Sequence, residues 1–128
     1  MNVVDSSAWL EYFADSPAAV PFSPAIEDPH QLVVPVITLF EVFKRVLQQR
    51  EEASALEAIA VMQQGNVIAV DSALAVSAAR LSVLHRLPLA DAIIYATARM
   101  YAAIVWTQDE HFRDLPGVRF FPKPIPTG

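Results

Sequence analysis

The sequence predicts a three-layer α/β domain with a mainly parallel central sheet. Three observations carry this expectation. Short apolar runs of strand type alternate with longer helical patterns along the whole chain. The 128 residues are 54% hydrophobic and only 18% charged, which favours a compact core over disorder. Acidic residues stand repeatedly where an apolar run gives way to a helix, the junctions that line the crevice of such a sheet.

Val3-Val4 is a short buried strand closed by Asp5, and Ser6-Ser7 open a helix through Phe13. Pro17, Pro21 and Pro24 break the chain, so 15–24 is expected to be loop, with a short helix over 24–29. Leu32-Val33-Val34 is the second strand. Pro35 and Thr38 set up a helix to about residue 49, and a further helix covers 53–63, where Leu56, Ile59 and Ala60 share a face. Gly65-Asn66 stops it, and Val67-Ile68-Ala69-Val70 is a strand. Asp71 caps an alanine-rich helix over 72–86, with His85 and Arg86 at its carboxyl end, where positive charge suits the dipole. Pro88 opens a helix to about Ala102. Ile104-Val105-Trp106 is a buried strand, Asp109–Leu115 a short helix, Pro116-Gly117 a turn and Val118–Phe121 the last strand; 122–128 reads as an extended tail. No repeat or boundary divides residues 1–128 into two domains.

Composition removes several functions. There are no cysteines, so thiolate catalysis, disulfides and cysteine-ligated metals are excluded. A net charge of -5 argues against a uniformly basic nucleic-acid binder, although an acidic site carrying cations can still act on a phosphate. The chain enters its first strand without a leader pattern, and its longest apolar stretch, Leu32 to Phe40 apart from Thr38, is too short for a bilayer. A cytoplasmic protein is expected. The apolar surplus predicts a covered surface, against a second subunit or a partner protein.

Four carboxylates are the candidate site. Asp5 and Asp109 follow strands, while Glu41 and Asp91 lie near helix starts. Brought into one crevice, they are costly unless protons or divalent cations neutralise them. Hard oxygen donors suit Mg²⁺ or Mn²⁺, which can polarise a phosphoryl oxygen and activate water. Each residue also has a plainer explanation. Asp5 and Asp109 are plausible helix caps, Asp91 a first-turn acid, and Glu41 either the partner of Thr38 in a capping box or of Arg45 in a helix pair. Ser6 and Thr107 are candidates to orient a carboxylate or a water, against cap and core roles. Asp71 fits capping better. His111 lies near Asp109, but a lone histidine in a short surface helix is more often structural. Arg80, Arg86 and Arg99 are candidates for phosphate contact or solvated helix charges, and Trp9, Tyr12 and Phe13 for core packing.

These segments resemble a PIN-domain ribonuclease, the small bacterial toxin type called VapC. The resemblance runs through Val3-Val4-Asp5-Ser6-Ser7-Ala8-Trp9-Leu10-Glu11-Tyr12-Phe13, Thr38-Leu39-Phe40-Glu41, Leu87-Pro88-Leu89-Ala90-Asp91-Ala92-Ile93-Ile94-Tyr95-Ala96-Thr97-Ala98 and Ile104-Val105-Trp106-Thr107-Gln108-Asp109-Glu110-His111-Phe112. It covers nearly the whole chain, and the last two segments are its strongest part. It implies a PIN-like α/β/α sandwich and a Mg²⁺- or Mn²⁺-dependent endoribonuclease. Asp5, Asp91 and Asp109 are then the metal-coordinating positions, Glu41 completes the pocket, and Thr107 is the hydroxyl beside the fourth acid. It further implies a transfer or ribosomal RNA substrate cut to a 5′-phosphate and a 3′-hydroxyl, a homodimer, and a VapB-type antitoxin. A basic antitoxin side chain could neutralise the acids. One departure is Ala102-Ala103, where the family often has glycine; alanine is unsuitable if the backbone needs positive φ.

Three other functions are compatible with the same pattern: a noncatalytic α/β binding module, a phosphotransfer receiver and a metal-dependent DNA nuclease. The receiver lacks its mid-chain phosphoacceptor and late lysine, and the preference for RNA over DNA rests on the resemblance.

Overall fold

Side chains alternate across each strand, and here that alternation divides the core in two. Val3, Val33 and Val105 enter one buried cluster; Val4, Val34 and Trp106 enter the other. The computed structural model describes residues 1–125. Its strands are β1 (Asn2–Val4), β2 (Val33–Pro35), β3 (Asn66–Ile68), β4 (Ile104–Thr107) and β5 (Val118–Phe120). Every ladder is parallel: β1 with β4, β4 with β5, and β2 with β3. A parallel bridge between Asn2 and Leu32 sets β1 beside β2, giving the spatial order 3-2-1-4-5. Strands buried on both faces read as near-continuous apolar runs, which is why these short segments stood out.

The helices are α1 (Ser6–Phe13), α2 (Ser23–Ile26), α3 (Val36–Gln49), α4 (Glu52–Met62), α5 (Ser72–His85) and α6 (Leu89–Met100). α1 to α4 supply Trp9, Ile26, Val42, Val46, Ala58 and Met62 to the cluster on one face of the sheet. α5 and α6 supply Leu74, Ala78, Ile94, Tyr95 and Ala98 to the cluster on the other. The three layers follow directly. Trp9 is buried with its ring stacked on Phe13 at 5.6 Å, so the early aromatics are core. Among the described residues no helix is long and apolar enough to cross a membrane.

Boundaries moved where proline was weighed too heavily. The expected loop over 15–24 holds a 3₁₀ turn, Pro17–Phe22, followed by α2. Proline is tolerated in a first turn, whose N–H groups lack intrahelical partners. The helix expected over Asp109–Leu115 contracts to a 3₁₀ turn, Glu110–Phe112. Strand β3 starts at Asn66, and Ala69 and Val70 lie beyond it. Of the tail expected over 122–128, residues 122–125 carry no helix or strand, and 126–128 lie outside the described residues.

The departure at Ala102 has a physical consequence. Its φ is +50°, a left-handed conformation that crowds an alanine Cβ. Ala102→Gly should therefore raise stability by about 1 kcal/mol, read as a higher urea midpoint at unchanged slope. A lower midpoint would show that the turn is not strained.

Candidate active site

The site grows from the ends of two adjacent strands. β1 pairs with β4 so that Val4 lies opposite Trp106; Asp5 follows the end of β1, and Thr107 is the last residue of β4. Asp5 N–H donates to the Trp106 carbonyl (3.2 Å), and Thr107 Oγ1 donates to Asp5 Oδ2 (2.9 Å). The same hydroxyl accepts from the backbone N–H of Asp109 (2.9 Å). Thr107 thus ties two acids 104 positions apart to one atom, and it is wholly buried.

Capping and pocket roles coincide rather than compete. Asp5 is the N-cap of α1 and accepts from Ala8 N–H (3.1 Å), while Ser7 Oγ donates to both its oxygens. Asp109 caps the 3₁₀ turn, accepting from His111 N–H (3.0 Å). Asp91 lies in the first turn of α6. Three acids therefore stand at helix or turn N-termini, whose partial positive charge lessens the cost of gathering them.

Glu41 differs. α3 begins at Val36, so Thr38 is its third residue, and its hydroxyl donates to the Pro35 carbonyl (2.7 Å). The capping-box explanation of Glu41 falls, because Thr38 is no cap. Ser6 Oγ instead donates to Glu41 Oε1 (2.6 Å) across 35 residues, joining α1 to α3 at the site. The Glu41–Arg45 ion pair is also not formed among the described residues.

All four carboxylates line one open cavity of about 430 Å³, with Ser6, Ser7, Lys44 and Arg45 among its walls. Two of its wall residues, Asp91 and Asp109, form a tight group with His111, which is not itself part of the wall; each offers a ligand atom within 4.8 Å of the others. His111 Nδ1 is 2.8 Å from Asp91 Oδ2 and 3.2 Å from Asp109 Oδ1. Asp5 lines the same cavity beside Asp91 and Asp109 but stands outside the group that those two form with His111.

Crowded carboxylates in a half-dry pocket hold their protons. Burial pushes Asp5, 2% exposed, up to about 7, against the hydrogen bonds from Thr107, Ala8 and Ser7, with the Asp109 charge adding to the rise. Burial, then the Asp109 charge, push Asp91 up to about 6, and His111 opposes them. His111 is itself raised, first by its hydrogen bond to Asp91 and then by the Asp109 charge.

Sequence reading undervalued His111, although its place two residues after a capping acid puts its N–H on that acid. It also missed Lys44 and Arg45, three and four residues after Glu41 on the same helical face. The arginines singled out instead do not reach the site: Arg80, Arg86 and Arg99 line neither this cavity nor the groove beside it, and Arg99 lies over the Tyr95 ring.

The PIN domain family matches residues 3–118. No curated protein sequence matches the chain. Solved structures do. A toxin–antitoxin complex from Klebsiella pneumoniae aligns with a TM-score of 0.82 at 23% identity, covering 96% of this chain and 100% of that one. VapC20 of Mycobacterium tuberculosis, described as a sarcin–ricin loop cleaving toxin, aligns at 0.78 and 20% identity over 95% of this chain and 100% of its own. A DNA-bound VapBC from Salmonella typhimurium aligns at 0.74 and 14% identity, over 95% and 98% of the two chains. At these identities the structures speak for a shared fold, and the sequence match over most of the chain places it by descent: the protein belongs to the PIN domain family.

Proposed function

We propose that this chain is the VapC-type toxin of a toxin–antitoxin pair, a divalent-metal-dependent endoribonuclease held inactive by a VapB-type antitoxin. The observation that carries the reading is the convergence of Asp5, Glu41, Asp91 and Asp109, from four separate segments, on one cavity with Lys44 and Arg45 in its wall. The donor set fits a hard cation: carboxylate oxygens predominate, burial and the neighbouring Asp109 charge raise the pKa of two acids, and no Lys or Arg pairs with the four among the described residues. Asp5, Asp91 and Asp109 would hold the ion, with Glu41 completing the pocket. Bound Mg²⁺ or Mn²⁺ would screen the nonbridging phosphate oxygens and favour ionisation of the attacking water.

The remaining work falls to the side chains. Asp91, with Asp109 beside it, would hold the ion and orient the attacking water. Thr107 holds Asp5 and Asp109 in register, and Ser6 orients Glu41. Attack on phosphorus breaks its bond to the 3′ oxygen, leaving a 5′-phosphate and a 3′-hydroxyl. Lys44 and Arg45 take neighbouring phosphates. Arg45→Ala in a cleavage-dead background should weaken RNA binding and lower the salt slope of log K by about 1, measured by fluorescence anisotropy across a salt series. An unchanged slope would remove Arg45 from the RNA path.

An adjoining groove of about 590 Å³ shares Ser7, Leu10 and Arg45 with the acidic cavity and adds Phe13, Val46 and Val61. Its wall mixes these apolar side chains with Arg45, Arg50, Glu11 and Glu57, a surface that supports docking of an amphipathic antitoxin helix. Val76, Val83 and Leu84 lie on one stripe of α5, with Val83 84% and Leu84 72% exposed, and support the expected homodimer. The deciding experiment is cleavage of transfer RNA, ribosomal RNA and single-stranded DNA by antitoxin-free protein in EDTA, Mg²⁺ and Mn²⁺. Cutting of RNA that EDTA abolishes is the expected result. Preferential cutting of DNA would make it a deoxyribonuclease, and no cutting by folded, metal-loaded protein would leave a binding module.

A further inference from the structure

His111 supplies the nitrogen of the Asp91–Asp109–His111 group, and its position is fixed from the backbone outward. Asp109 Oδ1 accepts from His111 N–H, which locks the 3₁₀ turn, and the next residue, Phe112, is fully buried in the second core cluster. The ring is thereby delivered between two carboxylates although His111 is 55% exposed. Nδ1 lies 2.8 Å from Asp91 Oδ2 and 3.2 Å from Asp109 Oδ1.

Those separations match a coordination shell. Neighbouring ligands on an octahedral ion with bonds near 2.1 Å stand about 3.0 Å apart, since the edge is the bond length times the square root of two. A hydrogen-bonded histidine beside a single carboxylate would need only one such contact. Here one nitrogen makes two, to oxygens from different segments of the chain, and all three residues can offer atoms within 4.8 Å of one another. Second contacts already aim the set: Asp109 is held by the His111 backbone, and its own N–H is tied to Thr107.

We infer that His111 is a ligand of the divalent ion through Nδ1, alongside Asp91 and Asp109, so that the site has a mixed oxygen–nitrogen shell. This rests on the metal-dependent reading above and goes beyond it, since the four-acid site needs no histidine. Coordination through Nδ1 places the remaining ring hydrogen on Nε2. Its chemical consequence is selectivity. Imidazole is a poorer partner for hard Mg²⁺ than for the transition ion Mn²⁺, so the nitrogen shifts the preference towards Mn²⁺.

The test uses untagged full-length protein loaded with Mn²⁺. Electron spin echo spectra should show coupling to a directly bound ¹⁴N, lost in His111→Gln, while titration followed by electron paramagnetic resonance shows Mn²⁺ affinity falling at least about tenfold. Mg²⁺ affinity, read by competition, should fall less. The exposed glutamine variant is checked for native circular dichroism and melting. His30 and His85 do not confuse the signal: neither joins the group formed by Asp91, Asp109 and His111, and the His85 ring packs against Tyr95 at 5.8 Å. Mn²⁺ binding without ¹⁴N coupling, or equal or tighter binding by His111→Gln, would overturn the inference and make His111 a counter-charge that the ion displaces. Wild-type protein that binds no divalent ion would overturn the metal-dependent reading itself, a separate outcome.

Discussion

Asp91→Asn should lower RNA cleavage at least about a thousandfold, roughly 4 kcal/mol of activation free energy, while the protein keeps its fold. The amide has the carboxylate's shape, and its carbonyl oxygen can still accept from His111 Nδ1, now 2.8 Å from Asp91 Oδ2. What disappears is a negative charge at the tightest point of the site. Burial and the Asp109 charge already oppose that charge, so its removal should not cost stability at neutral pH. Single-turnover cleavage of the preferred RNA, with melting followed in parallel, separates the two effects. Cleavage within tenfold of wild type from a folded variant would take Asp91 out of the reaction. Glu41→Gln is the useful companion: α3 takes no cap from Glu41, so its melting should be unchanged and any loss is a loss of chemistry.

The second large effect is on stability. The folded chain keeps the Asp5 proton up to about pH 7, whereas the group ordinarily releases it near 3.8. Between those values the folded state binds more protons than the unfolded one, so stability falls as pH rises. Over the full interval Asp5 alone is worth on the order of 4 kcal/mol. Asp91 acts in the same direction over a window ending near 6, and so does the raised His111, whose contribution is lost as pH passes its folded value. Metal-free protein should therefore have its urea midpoint fall from pH 4 through pH 7, with the decline continuing above it until Asp5 and His111 have lost their protons. Asp5→Asn should flatten that fall, and Mn²⁺ or Mg²⁺ at pH 8 should recover much of it, because the cation compensates the charges that deprotonation exposes. A midpoint that climbs over the same range, or an Asp5→Asn profile as steep as wild type, would mean that Asp5 is not the buried acid described.

Much of this was legible in the sequence because the sheet is buried on both faces. Val3-Val4, Leu32-Val33-Val34 and Ile104-Val105-Trp106 leave no polar alternation to confuse them with surface strands, and Asp71 marked the start of α5 correctly. The four acids were visible because a junction after an apolar run is where a crevice residue must stand. Less visible were contacts that depend on the path between elements. Nothing near Glu41 announces that Ser6, 35 residues earlier, will hold it, and Thr38 offered a local partner that the actual start of α3 at Val36 rules out. His111 was discounted because it looked like one residue on a surface helix. In fact the segment is a single 3₁₀ turn anchored by Phe112, and so tight a turn aims its middle side chain.

The Thr107 hydroxyl bond to Asp5 spans 102 positions of chain. During synthesis Asp5 leaves the ribosome early, whereas Thr107 and Asp109 are among the last ordered residues to emerge. Until β4 docks beside β1, Asp5 has no hydroxyl to hold it and Asp91 no neighbouring acid. A nascent or truncated chain thus carries the parts of the site without the site. The acids therefore become one site only when β4 closes against β1.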